Sequence, residues 1–268
     1  MKHFFRSLRE FPALLNVGAA SMVAYRAEMV LWILSATLPL IMLAVWDRVA
    51  MDGPVRGFDQ GKFALYFAAT LIVRQLSGAW VVWELNHQIR TGGLSSALLR
   101  PVFPGLWFAA ENLAAIPIRL VILVPIVLLI WWWRPELASN FDAIYVPIAL
   151  ISTLFAWLGN FCIQWLFGSF AFWLGQTLGL YNLWFGIWAL FSGYLIPFAV
   201  MPESMADVAR WLPFRALLGT PVDVFSNRLP WSNVVFELGL QLFWVTTLGL
   251  LASFVWRMGL RRYEAFGS

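Results

Sequence analysis

The chain has 268 residues, of which 61% are hydrophobic and 12% charged, against about 45–50% apolar content in a soluble domain. Seventeen tryptophans accompany six tyrosines, and the formal net charge is +4. That composition excludes a water-soluble domain and points to a polytopic membrane protein. A single cysteine, Cys162, lies in an apolar run and rules out intrachain disulfides and CxxC metal sites. No repeat or linker divides the chain, so residues 1–268 read as one transmembrane domain.

At the N-terminus, Phe4, Leu8, Phe11 and Leu15 share one helical face, while Lys2, Arg6 and Arg9 lie elsewhere on the same turn pattern. This predicts an interfacial helix with its basic face toward anionic headgroups. Pro12 and Asn16 interrupt the apolar patch, so a cleavable signal peptide is not expected. Six apolar runs of spanning length follow: 29–46, 63–83, 113–133, 144–173, 177–200 and 234–256. Pro117 and Pro125 in the third predict kinks, and Trp131-Trp-Trp133 with Arg134 predicts an interfacial belt at its end. The long connection 201–233 places Met205, Val208, Trp211 and Leu212 on one helical face. It predicts short helices that dip into the interface.

Six spans put both termini on one side. That side holds Lys2, Arg6, Arg9, Arg26, Arg90, Arg100, Arg257, Arg261 and Arg262, nine basic residues against seven opposite. The clusters at both termini make it the cytoplasmic side.

Enzymatic constellations are missing from the sequence. There is no Gly-x-x-x-x-Gly-Lys-Ser/Thr run, so this chain does not bind ATP by that route. The only histidines, His3 and His87, fall at the cytoplasmic surface, away from Ser169, which reads as a helix-packing residue. No cofactor is expected, and the positive charge does not signal nucleic acid. Three polar residues inside spans form a candidate polar path. Arg74 sits near the middle of the second span, where it is too deep to escape, and Asn160 and Gln164 are i, i+4 in the fourth. The amide stripe fits interhelical hydrogen bonds as well as it fits a substrate route. Arg119, nearer the end of the third span, is expected to snorkel to the headgroups.

The stretch Glu84–Pro101 is polar and lies between two apolar runs. Leu85, Ile89, Leu94, Leu98 and Leu99 give it an apolar edge, and Gly92-Gly93 breaks it into two helices. Such a feature belongs at a surface, where a leucine edge suits docking. The run Ile89-Arg-Thr-Gly-Gly-Leu-Ser-Ser-Ala-Leu-Leu-Arg-Pro101 resembles the cytoplasmic loop after the second span of ABC-2-type permeases. These are the membrane subunits of ATP-binding-cassette exporters. The resemblance extends over nearly the whole chain in span number, loop lengths and loop character. One departure is Gly93, where many relatives carry an acidic residue after the first glycine.

The resemblance implies an all-α membrane fold of six transmembrane helices. It adds an N-terminal interfacial helix, a cytoplasmic coupling helix and short outward-side helices between spans five and six. It implies outward transport across the cytoplasmic membrane, driven by cytoplasmic ABC ATPase subunits. A second permease, identical or a paralogue, would complete the pathway among the membrane lipids. Ile89, Arg90, Gly92, Leu94, Leu98, Leu99 and Arg100 are then the ATPase-coupling residues. The alternative is a non-transporting membrane assembly or scaffold subunit.

Overall fold

A computed structural model describes residues 11–24, 28–134 and 142–263, the side chains of 19–36 excepted. The expected interfacial helix with Lys2, Arg6 and Arg9 lies for the most part outside these residues. The regular elements among the described residues are all helical.

Helix α1 (Phe11–Ala24) packs against α6 (Pro104–Ala114). Gly18 permits the approach, since a Cβ there would sit 3.1 Å from the Ala114 Cβ. Helix α2 (Glu28–Val49) runs beside α3 (Gln60–Ser77). The α2–α3 loop closes on a one-bridge turn between Val55 and Phe58, with Arg56 at φ 47° and Gly57 at φ 83°. The Asp59 side chain then caps α3 by accepting from the Lys62 N–H. Next come α4 (Val81–Arg90), α5 (Leu94–Leu98), α6 and α7 (Ile116–Trp133). Helix α8 (Val146–Ser169) runs on through α9 (Ala171–Leu174), and α10 (Leu178–Phe191) follows. The connection to the last helix contains α11 (Glu203–Trp211), a π-helical turn (Arg215–Gly219) and α12 (Thr220–Phe225). Helix α13 (Trp231–Leu260) ends the fold.

Four runs are long and apolar enough to cross a membrane: Gln60–Arg90, Pro104–Trp133, Ala143–Leu174 and Trp231–Leu260. The first is the hub: 67% of its apolar window is buried within the protein, against 17% for the last. Phe63, Tyr66, Phe67 and Leu71 of α3 are almost wholly inaccessible and form the centre of the main core. Helices α7 and α13 instead turn Val121, Leu128, Val235 and Leu250 outward, as lipid-facing helices do. Trp132 and Trp133 are also exposed, and Arg134 behind them pairs with Asp47 of α2 and lies over the Trp133 ring.

The architecture departs from the sequence expectation in three places. The second apolar run is broken at Gly78-Ala79-Trp80, where its composition predicts an uninterrupted helix over 63–83. The fifth run is apolar as far as Val200, but α10 ends at Phe191 after 14 residues, about 21 Å of helix. There the chain turns at Gly193 (φ 89°), whose carbonyl accepts from the Tyr66 hydroxyl at 2.8 Å. A Cβ on Gly193 would lie 2.5 Å from that hydroxyl, so only glycine fits. The third departure is in 201–233, where the pattern predicts interfacial helices. Helix α11 fits, with Val208 and Trp211 exposed. Residues 213–226 do not: they turn inward and are buried throughout.

Candidate coupling surface and intramembrane polar site

The coupling stretch divides into an inward and an outward part. Helices α4 and α5 meet at Thr91-Gly92, and Gly92 takes φ 77°, a conformation that favours glycine. Leu85, Ile89 and Leu94 are buried, in a cluster with Phe108 of α6, Trp165 of α8 and Trp256 of α13. Leu85 fits against Gly168 of α8, where a Cβ would come within 2.9 Å of it. Asn86 donates to the Thr177 hydroxyl at the start of α10 (3.0 Å), and Ser95 and Tyr263 share a hydroxyl contact of 3.2 Å. Of the predicted coupling residues, Ile89 and Leu94 therefore anchor the stretch to the bundle. Arg90, Leu98, Leu99 and Arg100 face outward, Leu99 at 88% exposure. Arg100 lies over the Trp107 ring at 4.6 Å, and the Trp107 indole donates to Glu111.

The second site is the break in the central run. Gly78 is extended (φ −67°, ψ 140°), so the backbone groups around it leave the helical ladder at membrane depth. Inside hydrocarbon such groups need partners from neighbouring helices, and side chains of α6, α7 and α8 supply them. Arg119 donates through Nη1 to the carbonyls of Gln75 and Gly78, both at 2.8 Å. The Asn112 side chain accepts from the Trp80 N–H at 3.2 Å. Gln164 donates to the Ala79 carbonyl at 2.7 Å and accepts from the Val82 N–H at 3.3 Å. Asn160 reaches the Ser77 and Leu217 carbonyls at 3.4 and 3.5 Å.

One sequence reading changes here. Arg119 does not snorkel: it is 4% exposed and turned inward, because the broken strand of backbone offers it two carbonyls. Asn160 and Gln164 form interhelical hydrogen bonds to the break, the first of the two readings their spacing leaves open. Arg74 does share a small cavity with them, bordered by Tyr181, Trp184 and Trp188. Its guanidinium lies 5.4 Å from the Trp188 ring centroid and 5.8 Å from that of Phe185 and hydrogen-bonds the Tyr194 side chain; among the described residues no carboxylate pairs with it. Gly78 brings the two arginines together: a Cβ there would sit 3.3 Å from Arg119 Nη1 and 3.4 Å from Arg74 Nη1.

A third polar centre does not emerge from the sequence patterns. Arg215, in the π turn, donates to both oxygens of Glu237 of α13 (3.2 and 3.0 Å) and pairs with Asp223 of α12 at 3.1 Å. Thr220 donates to Glu237, and the Arg215 guanidinium lies over the Phe198 ring at 4.6 Å. Burial pushes the Asp223 carboxyl up from its usual range, opposed by the positive charges of Arg215 and Arg228. Gln241 of α13 completes the fastening by donating to the carbonyls of Ala216 (2.7 Å) and Ser152 (3.1 Å). The signal that could have found it is two charged residues inside the apolar run 214–225, which only a buried segment with a charged partner explains.

Among the described residues no His, Cys, Asp or Glu cluster could hold a metal. In comparison with known proteins, a family model described as ABC-2 family transporter protein matches residues 41–267. No curated protein and no solved structure matches the chain.

Proposed function

Because the chain belongs to the ABC-2 transporter family, we propose that it is the permease subunit of an exporter driven by separate cytoplasmic ATPases. The observation that carries this reading is the division of the coupling stretch. Leu98, Leu99 and Arg100 are exposed at the end of a two-helix projection whose other side is buried in the bundle. An exposed leucine edge on a rigid mount suits docking to a partner.

The mechanism is mechanical. A push on α5 reaches α4 through Ile89 and Leu94, and α4 is joined to α8 and α10 by Leu85 and Asn86. The break at Gly78–Trp80 lets α4 tilt while α3 stays packed at the centre of the core. Two states of the break, each holding its carbonyls through a different set of the same donors, would alternate access. The six spans are the four long apolar runs, α2 with its 22 residues, and α10 with its irregular continuation to Val200. Both termini and the coupling stretch face the cytoplasm of a cytoplasmic-membrane protein, and a second permease shares the pathway. Purification of the native complex in mild detergent, followed by mass spectrometry, tests the reading. An ABC ATPase should co-purify, and its reproducible absence would favour a scaffold role instead.

Two substitutions probe the mechanism. Replacing Leu98 and Leu99 together with Asp should abolish transport and ATPase binding while the permease still inserts. Both side chains are at least partly exposed in the isolated chain, so folding tolerates the change. Docking does not, since two carboxylates would have to be desolvated, at about several kcal/mol. Wild-type ATPase binding by this variant would remove the docking edge from the mechanism. Arg74→Leu should insert at least as well as wild type, because an arginine at that depth costs about 2.5–3.5 kcal/mol on insertion scales. It should lose transport, and Arg74→Lys should keep part of it. Normal transport by Arg74→Leu would show that no polar path runs past this residue.

A further inference from the structure

A groove of about 610 Å³ runs between α6, α8 and α13, away from the break and from the ion triad. Its wall is aromatic. Trp165 packs on Trp256 with ring centroids 4.7 Å apart, and Phe161 stacks on Trp165. These rings are fixed in the core, so the groove is preformed. Its floor is Gly249, where a Cβ would meet only the Cys162 sulfur, at 3.7 Å.

One polar feature sets it apart from an ordinary lipid-facing crevice. At its mouth stands Arg257, exposed, with Arg261 one turn further along the same face of the α13 end. Among the described residues Arg257 pairs with no carboxylate and lies over no ring. Phe11 of α1 also borders the groove. An apolar slot with a cation at its mouth matches an amphiphile with an acidic head.

We propose that this groove binds one anionic phospholipid of the bilayer, its acyl chain along the Phe161–Trp165–Trp256 wall and its phosphate on Arg257. Among the described residues no carboxylate neutralises Arg257, so a net negative headgroup gains a charge contact there that a neutral one does not. The proposal rests on the chain crossing a membrane and not on its coupling to an ATPase. Failure of the co-purification experiment would therefore leave it standing.

The full-length chain is placed in nanodiscs that hold phosphatidylcholine and phosphatidylglycerol in equal amounts, and native mass spectrometry counts the lipids that stay bound on release. One phosphatidylglycerol per chain should be retained, about fivefold over phosphatidylcholine. Arg257→Gln, an exposed substitution that leaves the fold intact, should remove that preference. Gly249→Leu fills the slot and should abolish lipid retention. Equal retention of the two lipids by the wild type, or a phosphatidylglycerol preference that survives Arg257→Gln, would overturn the proposal. So would retention of neither lipid until residues 1–10 are deleted, since the chain's own N-terminus would then cover the groove.

Discussion

Arg215→Met should destabilise the protein by about 3–5 kcal/mol, read as a large fall in the thermal unfolding temperature of the detergent-solubilised chain. The side chains of Arg215, Asp223 and Glu237 are 10%, 10% and 8% exposed, so water screens them little. Removing the guanidinium leaves two carboxylates facing one another in a core also lined by Phe198. One of them must take up a proton or drag the segment out toward solvent. Arg215→Lys should fall between, because one ammonium cannot reproduce the forked contact with both Glu237 oxygens. A second variant separates charge from packing: Arg215→Met combined with Glu237→Gln should recover much of the loss, since the remaining carboxylate, Asp223, still faces the positive charge of Arg228. If Arg215→Met alone melts like the wild type, the triad does not fasten residues 213–226 to α13.

That triad also shows where the sequence stops being legible. The membrane class, the helical content and the helix–turn–helix at 84–98 follow from local patterns: apolar run length, the spacing of Leu85, Ile89 and Leu94, and a glycine at the turn. Such patterns report what one segment prefers. Residues 213–226 are different, because their burial depends on a carboxylate at 237 and an amide at 241, contributed by another helix. The same holds for the end of α10 at Phe191. The apolar run continues to Val200, but Tyr66, more than a hundred residues away, meets the Gly193 carbonyl and stabilises the turn. For the candidate site, spacing places Asn160 and Gln164 on one face correctly, yet their role is decided by a break in a different helix. Gly78 alone marks that break in the sequence, and a lone glycine in an apolar run is tolerated in most spans. The leucine edge is legible only in part: Leu98 and Leu99 are exposed, but Leu85, Ile89 and Leu94 of the same pattern are buried against Phe108, Trp165 and Trp256 of other helices.

Arg119→Met tests whether the break is held as the geometry indicates. Arg119 donates from one nitrogen to the carbonyls of Gln75 and Gly78, and its guanidinium lies 5.0 Å from the Trp80 ring centroid. Each hydrogen bond to a charged group contributes about 1.5–3 kcal/mol, and two are lost together. The methionine refills most of the volume, so the deficit is polar rather than steric. Loss of the cation also relieves its repulsion with Arg74, which converges on the same glycine, so the net fall should be smaller than the sum of the two bonds. The expected result is a lower unfolding temperature together with faster hydrogen exchange at the amides of residues 79–83, the backbone that the break exposes. Arg119→Lys should restore part of both, since an ammonium can still reach a carbonyl. A variant that melts earlier but keeps wild-type exchange at 79–83 would place the stabilisation in the α3–α7 contact as a whole. The break would then be held by Gln164, Asn112 and Asn160 without the arginine.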